Sequence, residues 1–541
     1  MNGVELLLII GLGIAVTAVA RRHRIEPGWV IVALAAAASF VPGVPRLELD
    51  SEVILAVVIP PLLYSAARGA SLSGFGANLR AIVYLGVVLV VLSAGVLGWI
   101  SSLLLPSVGL AAAFVLGSVL APPDTITTVS HGDEIGLPKR VTSILTGESL
   151  VNDATALTLF SLAIAAVNGE DATWAGGVLA LLRTAAIGLG IGFAFALAGL
   201  RIRKRLGNPT LETSLTLLLP FTAFLTAEEL HASGILAVVA AAFSMSINLT
   251  LDPRHQYPGG YLTRLQEEQV WRVVDFLLET FVFAYIGLQL KFVLRDLAES
   301  GQPGLARTLA AAGVLLVAAI GFRMAGAFGL FGRWTLRHRA AERHAARDAR
   351  YRQAREQRTA RRRGEVLPPP TVKETVLVGW TGMRGILTLA AAAAVPEHTA
   401  SGAPFPGRGA IQAIALIVTL GTLLIQGTTI GWLARRLHFD LGAERTQEER
   451  MREQAHRIVA EAREQVHRAQ GVHAPPAPAT RSAADIDASF EAQRLALGRA
   501  VVERQVTEEL ARELIEDLDL RQAARHTAHR YDGSEGDTTV R

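Results

Sequence analysis

Thirteen stretches of this 541-residue chain are apolar over the length a helix needs to cross hydrocarbon, which is about 20 residues. No other feature constrains the fold as much. The stretches lie at approximately 3–20, 27–42, 52–68, 80–105, 109–131, 138–167, 174–200, 210–229, 233–249, 270–292, 305–332, 371–396 and 409–434. A water-soluble chain of this length divides into several domains with polar surfaces. Apolar runs this long, with a mean hydropathy of +0.36, describe an all-α polytopic membrane protein with 13 transmembrane helices. The first run ends in Ala18-Val19-Ala20, the form of a signal-peptidase site, but its basic cluster follows the run and Glu5 lies within it. A cleaved signal carries positive charge first, so this run reads as a retained span.

The connections between runs alternate in charge. Arg21, Arg22 and Arg24 follow the first run, and only Arg46 follows the second. Arg68 and Arg80 border the third connection, and no charge follows the fourth run. Lys139 and Arg140 follow the fifth, Glu170 and Asp171 the sixth, and the basic stretch Arg201–Arg205 the seventh. Basic connections stay in the cytosol. This predicts an N-terminus outside and a C-terminus in the cytosol, in a plasma (inner) membrane. Residues 1–440 form the membrane domain, with an arginine-rich cytosolic linker at 333–370 that closes on Pro368-Pro369-Pro370. That linker suits an anionic lipid surface. Arginine-rich arms also bind nucleic acid, but loops of this kind set topology in membrane proteins, and no nucleic-acid partner is expected. Residues 441–541 form a charged cytosolic tail with two helical stretches, the second at roughly 484–525, and read as a solvated helical appendage, with a regulatory or dimer-supporting role as the alternative.

Charge inside a span costs a few kcal/mol, so intramembrane acids pair, face a cavity or mark an ion path. The sixth run contains Gly147-Glu148-Ser149-Leu150-Val151-Asn152-Asp153. Residues four apart share a helix face, so Glu148 with Asn152, and Ser149 with Asp153, form adjacent rows of one polar patch. In the fifth run Pro122 and Pro123 remove two amide donors, which predicts an unwound segment with freed carbonyls. Asp124, Thr125, Thr127 and Thr128 add oxygen there. In the twelfth run Gly379, Gly382 and Gly385 surround Arg384, which at that depth needs an acid partner such as Glu148 or Asp124. Arg323 is a second buried arginine, in the eleventh run. Interruptions at matching places in runs one to six and eight to thirteen point to two inverted six-helix repeats with a transport site between them.

Weaker signals have structural readings. Glu212, Glu228 and Glu229 lie near run ends and read as interfacial. Asp275 and Glu279, four apart, read as the lining of an entry funnel or as helix surface. His131, near a cytosolic end, reads as a pH sensor or as a hydrogen-bonded bystander. The chain has no cysteine, which excludes thiolate metal sites and cysteine nucleophiles, and it has no metallohydrolase motif. The polar patch also suits a cation channel, or a cation-sensing membrane protein with a structural ion-pair network.

The "GESLVNDA" stretch, the preceding "PPD" and the late "GMRG" resemble the NhaP/NHE-type branch of the monovalent cation–proton antiporters, over about residues 1–440. The resemblance implies a secondary transporter and not an enzyme. It implies crossed, unwound helices (NhaA/NhaP-like), a homodimer, and no cofactor beyond the transported Na+ or K+ and H+. By position, Asp153 is the carboxylate that takes cation or proton, and Ser149 is a side-chain metal ligand. Pro123 supplies a backbone carbonyl, and Asp124 occupies the acid position of the unwound segment. Glu148 pairs with Arg384 and supports the site through Asn152. Where many relatives carry an acid in the third run, this chain has Tyr64 and Ser65, weaker ligands that bear on cation preference. The pair Asn152-Asp153, where electrogenic relatives carry two aspartates, implies electroneutral exchange. A carboxylate in hydrocarbon is neutralised by a proton or by a metal cation, so the two compete.

Overall fold

The computed structural model describes residues 3–23, 27–44, 46–47, 54–125, 137–169, 174–250, 260–299, 304–350, 352–353, 369–439, 442–469 and 483–535. Thr127, Thr128 and His131 lie outside the described residues. Every regular element among the described residues is helical, apart from one isolated bridge between His398 and Pro404. In the first half the helices are α1 (Gly3–Arg22), α2 (Pro27–Ser39), α3 (Ile59–Gly69), α4 (Leu72–Val83), α5 (Val90–Leu104), α6 (Leu110–Leu120), α7 (Lys139–Val167) and α8 (Trp174–Leu206). In the second half they are α9 (Pro209–Glu229), α10 (Gly234–Thr250), α11 (Gly260–Leu288), α12 (Leu290–Glu299), α13 (Leu305–Arg347), α14 (Val372–Trp380), α15 (Ile386–Ala393), α16 (Arg408–Thr422) and α17 (Thr428–Leu437). Wide π-turns join α4 to α5 (Tyr84–Leu89) and α16 to α17 (Leu423–Gly427), and a third precedes α3.

Among the described residues, eight helical stretches are long and apolar enough to cross a membrane, and Pro27–Ser39, Leu110–Leu120 and Gly234–Ser246 are shorter apolar helices. The short ones have local causes. α6 stops where Pro122 and Pro123 follow it, and at a rise of about 1.5 Å per residue it reaches only part way through the hydrocarbon. The twelfth apolar run is two half-helices, α14 and α15, separated by Thr381–Gly385. α14 starts on a reciprocal cap, in which Glu374 N–H donates to Thr371 Oγ1 and Thr371 N–H donates to the Glu374 carboxylate.

Apolar packing sorts the helices into two bundles. Val32, Leu63, Leu219, Val238 and Phe283 join α2, α3, α9, α10 and α11 in one core. Leu97, Leu116, Phe160, Leu315 and Ile414 join α5, α6, α7, α13 and α16 in another. Leu150 and Ala154 of α7, and Met383 and Ala390 beside and within the broken run, belong to the first core and mark the seam between the bundles.

Helix ends meet on two opposite faces. On one, Arg68 pairs with Glu268 (2.8 Å), Arg203 with Glu267 (2.6 Å) and Lys139 with Glu448 (2.6 Å). On the other, Ala400 N–H donates to Asn168 Oδ1 (3.0 Å), Arg307 to the Leu104 carbonyl (2.7 Å) and Gln289 to the Leu47 carbonyl (2.6 Å). The basic connections after the third, fifth and seventh runs thus share a face, as the alternation of charge requires.

The tail differs from a solvated appendage. It forms α18 (Gly442–Ala469), α19 (Ala483–Val502) and α20 (Glu508–Glu535). The stretch read as one helix over 484–525 is two, broken after Val502, with Arg504 in the left-handed region (φ 62°). Ala455, Phe490, Leu497, Leu514 and Leu518 give the three helices an apolar core of their own.

Candidate cation site

The two broken runs cross at residues 121–125 and 381–385. Asp124 N–H donates to the Met383 carbonyl (2.6 Å), so the unwound segments satisfy one another where the prolines have removed helical donors. The helix ends left open there find partners too. Arg384 Nε donates to the Leu120 carbonyl (2.9 Å) at the end of α6, and its Nη1 donates to the Gly382 carbonyl. Gln426 donates to the Trp380 carbonyl (2.7 Å) at the end of α14. A cation is favourable at a helix C-terminus, and Arg384, 1% exposed, holds that position at the crossing. Two glycines permit the close approach. A methyl at Gly385 would overlap the Asp124 carboxylate, and one at Gly382 would overlap the Arg323 side chain.

The polar patch of α7 faces this crossing. Asn152 Nδ2 donates to the Pro123 carbonyl (2.7 Å), Thr125 N–H to Ser149 Oγ (3.4 Å) and Thr125 Oγ1 to the Leu145 carbonyl (2.9 Å). Ser149 and Asn152 thereby hold the unwound segment against α7. Asp153, one position on and half-buried, lines a cavity of about 50 Å³ with Pro122, Pro123, Asp124, Gly385 and Thr388. Ile59, Leu62 and Leu63 of α3 close its far side. That volume holds a few water-sized particles, the scale of a monovalent cation with part of its hydration shell.

The geometry corrects several expectations. Glu148 pairs with Arg323, not Arg384. The contact is bidentate (2.5 and 3.0 Å), and both groups are buried, at 0% and 4% exposure. Arg323 comes from α13, so this pair locks α7 to α13. Tyr64 and Ser65 do not line the Asp153 cavity. They follow Leu63 directly in α3 but face other helices: Tyr64 stacks on Trp271, and Ser65 donates to the Asp275 carboxylate. Asp275 borders a cavity of about 510 Å³ that α20 of the tail also lines. Glu212 is buried, not interfacial, in an ion network with Arg203 and Glu267.

The sequence reading missed Thr388. This residue is 1% exposed, lines the Asp153 cavity, and its hydroxyl has no hydrogen-bond partner among the described residues. A helical threonine ordinarily donates to the carbonyl four residues back, as Thr155 does to Val151. For Thr388 that residue is Arg384, in the unwound segment, so the broken helix leaves the hydroxyl available. The available signal was its place in the first turn after the interruption.

Half-helices that cross inside a membrane bundle beside a carboxylate define a secondary transporter. The chain belongs to the sodium/hydrogen exchanger family, whose transmembrane model matches residues 6–436. It is a multi-pass monovalent cation/proton antiporter, a transporter and not an enzyme. An uncharacterised Na+/H+ exchanger of Mycobacterium bovis is 30% identical over 443 residues, covering 80% of this chain and 74% of the relative. A sodium, potassium, lithium and rubidium/H+ antiporter of Bacillus pumilus is 27% identical, covering 74% of this chain and 56% of the relative. Among solved structures, the sodium proton antiporter MjNhaP1 of Methanocaldococcus jannaschii superposes with a TM-score of 0.58 at 16% identity, covering 80% of this chain and 97% of that one.

Proposed function

We propose that the chain exchanges one monovalent cation for one proton, with Asp153 as the group that carries either. The cavity that Asp153 lines together with Pro122, Pro123, Asp124 and Thr388, beside the crossing, carries this reading. The cation is held by Asp153, the Pro123 carbonyl, Asp124 and the Thr388 hydroxyl, with Ser149 and Asn152 fixing the unwound segment or reaching the ion from beside it. A proton on Asp153 removes the charge that holds the metal, and the metal removes the site for the proton. Neither state leaves Asp153 itself a bare carboxylate in hydrocarbon, so this one acid serves both halves of the cycle. Asn152 adds no second charge, in keeping with electroneutral exchange. Na+ is the first candidate, with K+ and Li+ alternatives, since the Bacillus relative is named for all three.

Thirteen crossings in two inverted repeats, an N-terminus outside and a cytosolic C-terminus complete the reading, with residues 1–440 as the transport unit of a plasma-membrane homodimer. The bundle of α5–α7 and α13–α17 rocks against α1–α3 and α8–α11 along the seam at Asp153.

The test is reconstitution into liposomes with an acidic lumen. External Na+, K+ or Li+ is expected to draw protons out. The rate should be unchanged when a potassium ionophore clamps the membrane potential, and the apparent cation KM should rise as pH falls while the maximal rate holds. Cation flux that moves no protons would identify a channel instead. Thr388→Val keeps the side-chain shape and deletes the hydroxyl. It is expected to raise the cation KM about three- to tenfold, the loss of one ligand contact of ~1 kcal/mol, with little change in maximal rate. An unchanged KM removes Thr388 from the ligand set.

A further inference from the structure

The tail begins on one bundle and ends on the other. α18 follows α17 after a short connection, and its first turns hold the start of α7, the helix that bears Asp153. The Lys139 N–H donates to Glu444 (2.9 Å) and Lys139 Nζ donates to Glu448 (2.6 Å). The first amides of a helix have no internal partner, and Pro138 at the α7 N-cap makes no side-chain cap. Glu444 takes that role from another domain, with a negative charge at the end of the helix where it is favoured.

The second anchor is on the opposite bundle. Arg512 of α20 donates to the Arg68 carbonyl (2.8 Å) in the last turn of α3, and at 3.4 Å to that of Ala70. Asp519, 1% exposed, receives two hydrogen bonds from Arg264 of α11 (2.7 and 2.8 Å) and one from Arg494 of α19 (2.8 Å). The apolar core shared by α18, α19 and α20 couples the two anchors. Between them the tail roofs the 510 Å³ cavity, with Glu509, Glu513 and Glu516 facing Ser65, Arg68 and Asp275. α3 runs from beneath this roof to the Asp153 cavity, which its Ile59, Leu62 and Leu63 line.

We propose that the tail is a tie between the two bundles which restrains their rocking, so that transport runs at full rate only when the α7 anchor opens. This rests on the alternating-access reading given above. The two anchors are unequal in the way such a device requires. Asp519 is buried and triply bonded, whereas Lys139 and Glu448 are 55% and 31% exposed. Exposed pairs are weak and screened by salt. The contact on the moving bundle is therefore the one that gives way, while α20 stays on α3 and α11.

The chain contains no cysteine, so Lys139→Cys with Glu448→Cys places the only two thiols across the weak anchor. In proteoliposomes this double variant, which lacks the ion pair, is expected to exchange about fivefold faster than wild type, the lower range of coupling between distant sites. Bridging the thiols with a reducible bis-maleimide is expected to bring exchange down to the background of empty vesicles, and reduction of the bridge to restore it. An equal rate with and without the bridge overturns the proposal. So does a double variant slower than wild type, or failure of the bridge to form in protein that elutes at the wild-type volume. Asp153→Asn run in parallel separates the two readings. If it is inactive while the bridge has no effect, the tie falls and the site stands. If it exchanges normally while the bridge still blocks, the site falls and the tie stands.

Discussion

Asp153→Asn is expected to abolish exchange while leaving a folded, correctly inserted protein. The amide is nearly isosteric with the carboxylate, and the cavity it borders already contains water-sized space, so no void or clash is introduced. What disappears is the negative charge. An amide cannot ferry a proton between sides, and its contact with a metal ion is weaker by ~3 kcal/mol, which corresponds to about a hundredfold in affinity. The reconstituted variant should therefore release no protons on addition of Na+, K+ or Li+. Calorimetry on the purified protein should show both cation uptake and the accompanying proton release lost together. Wild-type exchange in this variant would move the function to another acid, and Asp124, across the same cavity, is the next to test.

Glu148→Gln is expected to act through folding instead. Its carboxylate is fully buried and takes both hydrogen bonds from the Arg323 guanidinium. Removing one partner of a buried pair leaves an uncompensated charge, at a cost of about 3–5 kcal/mol. The variant should show a lowered thermal midpoint in detergent and reduced abundance in the membrane, and Arg323→Gln should do the same. The double variant should recover much of the loss, because two amides can hydrogen-bond each other where one amide and one guanidinium leave a bare charge. Arg384→Ala should not be rescued by any change at Glu148, since Arg384 serves the carbonyls of Leu120 and Gly382. A Glu148→Gln protein that melts with wild type would break the assignment of this pair as the brace between α7 and α13.

These outcomes separate two kinds of intramembrane charge that look alike in a sequence. Glu148 and Asp153 lie five residues apart on one helix. Glu148 pairs with Arg323 of α13 inside one bundle, whereas Asp153 lines a cavity bordered by an unwound backbone. Only the second environment leaves room for an exchangeable partner.

Much of the architecture was legible in residue order because its causes are local. Hydropathy over a span-length window marks the apolar runs, and charge between runs predicts which ends share a face, as Arg68, Lys139 and Arg203 do. Pro122-Pro123, and the glycines around Arg384, place the interruptions where the backbone does unwind. The offset of four puts Glu148 with Asn152, and Ser149 with Asp153, in adjacent rows of α7, but it does not say what each row meets. Pairing between helices obeys no such offset. Glu148 and Arg323 are 175 positions apart, and which of two arginines reaches the acid depends on how α13 and the half-helices sit against α7. The same holds for Ser65 with Asp275, Glu212 with Arg203, the free hydroxyl of Thr388, and a polar tail seated across both bundles. Periodicity within one helix is set by covalent geometry, whereas contacts between helices are set by packing, and only the folded chain decides those.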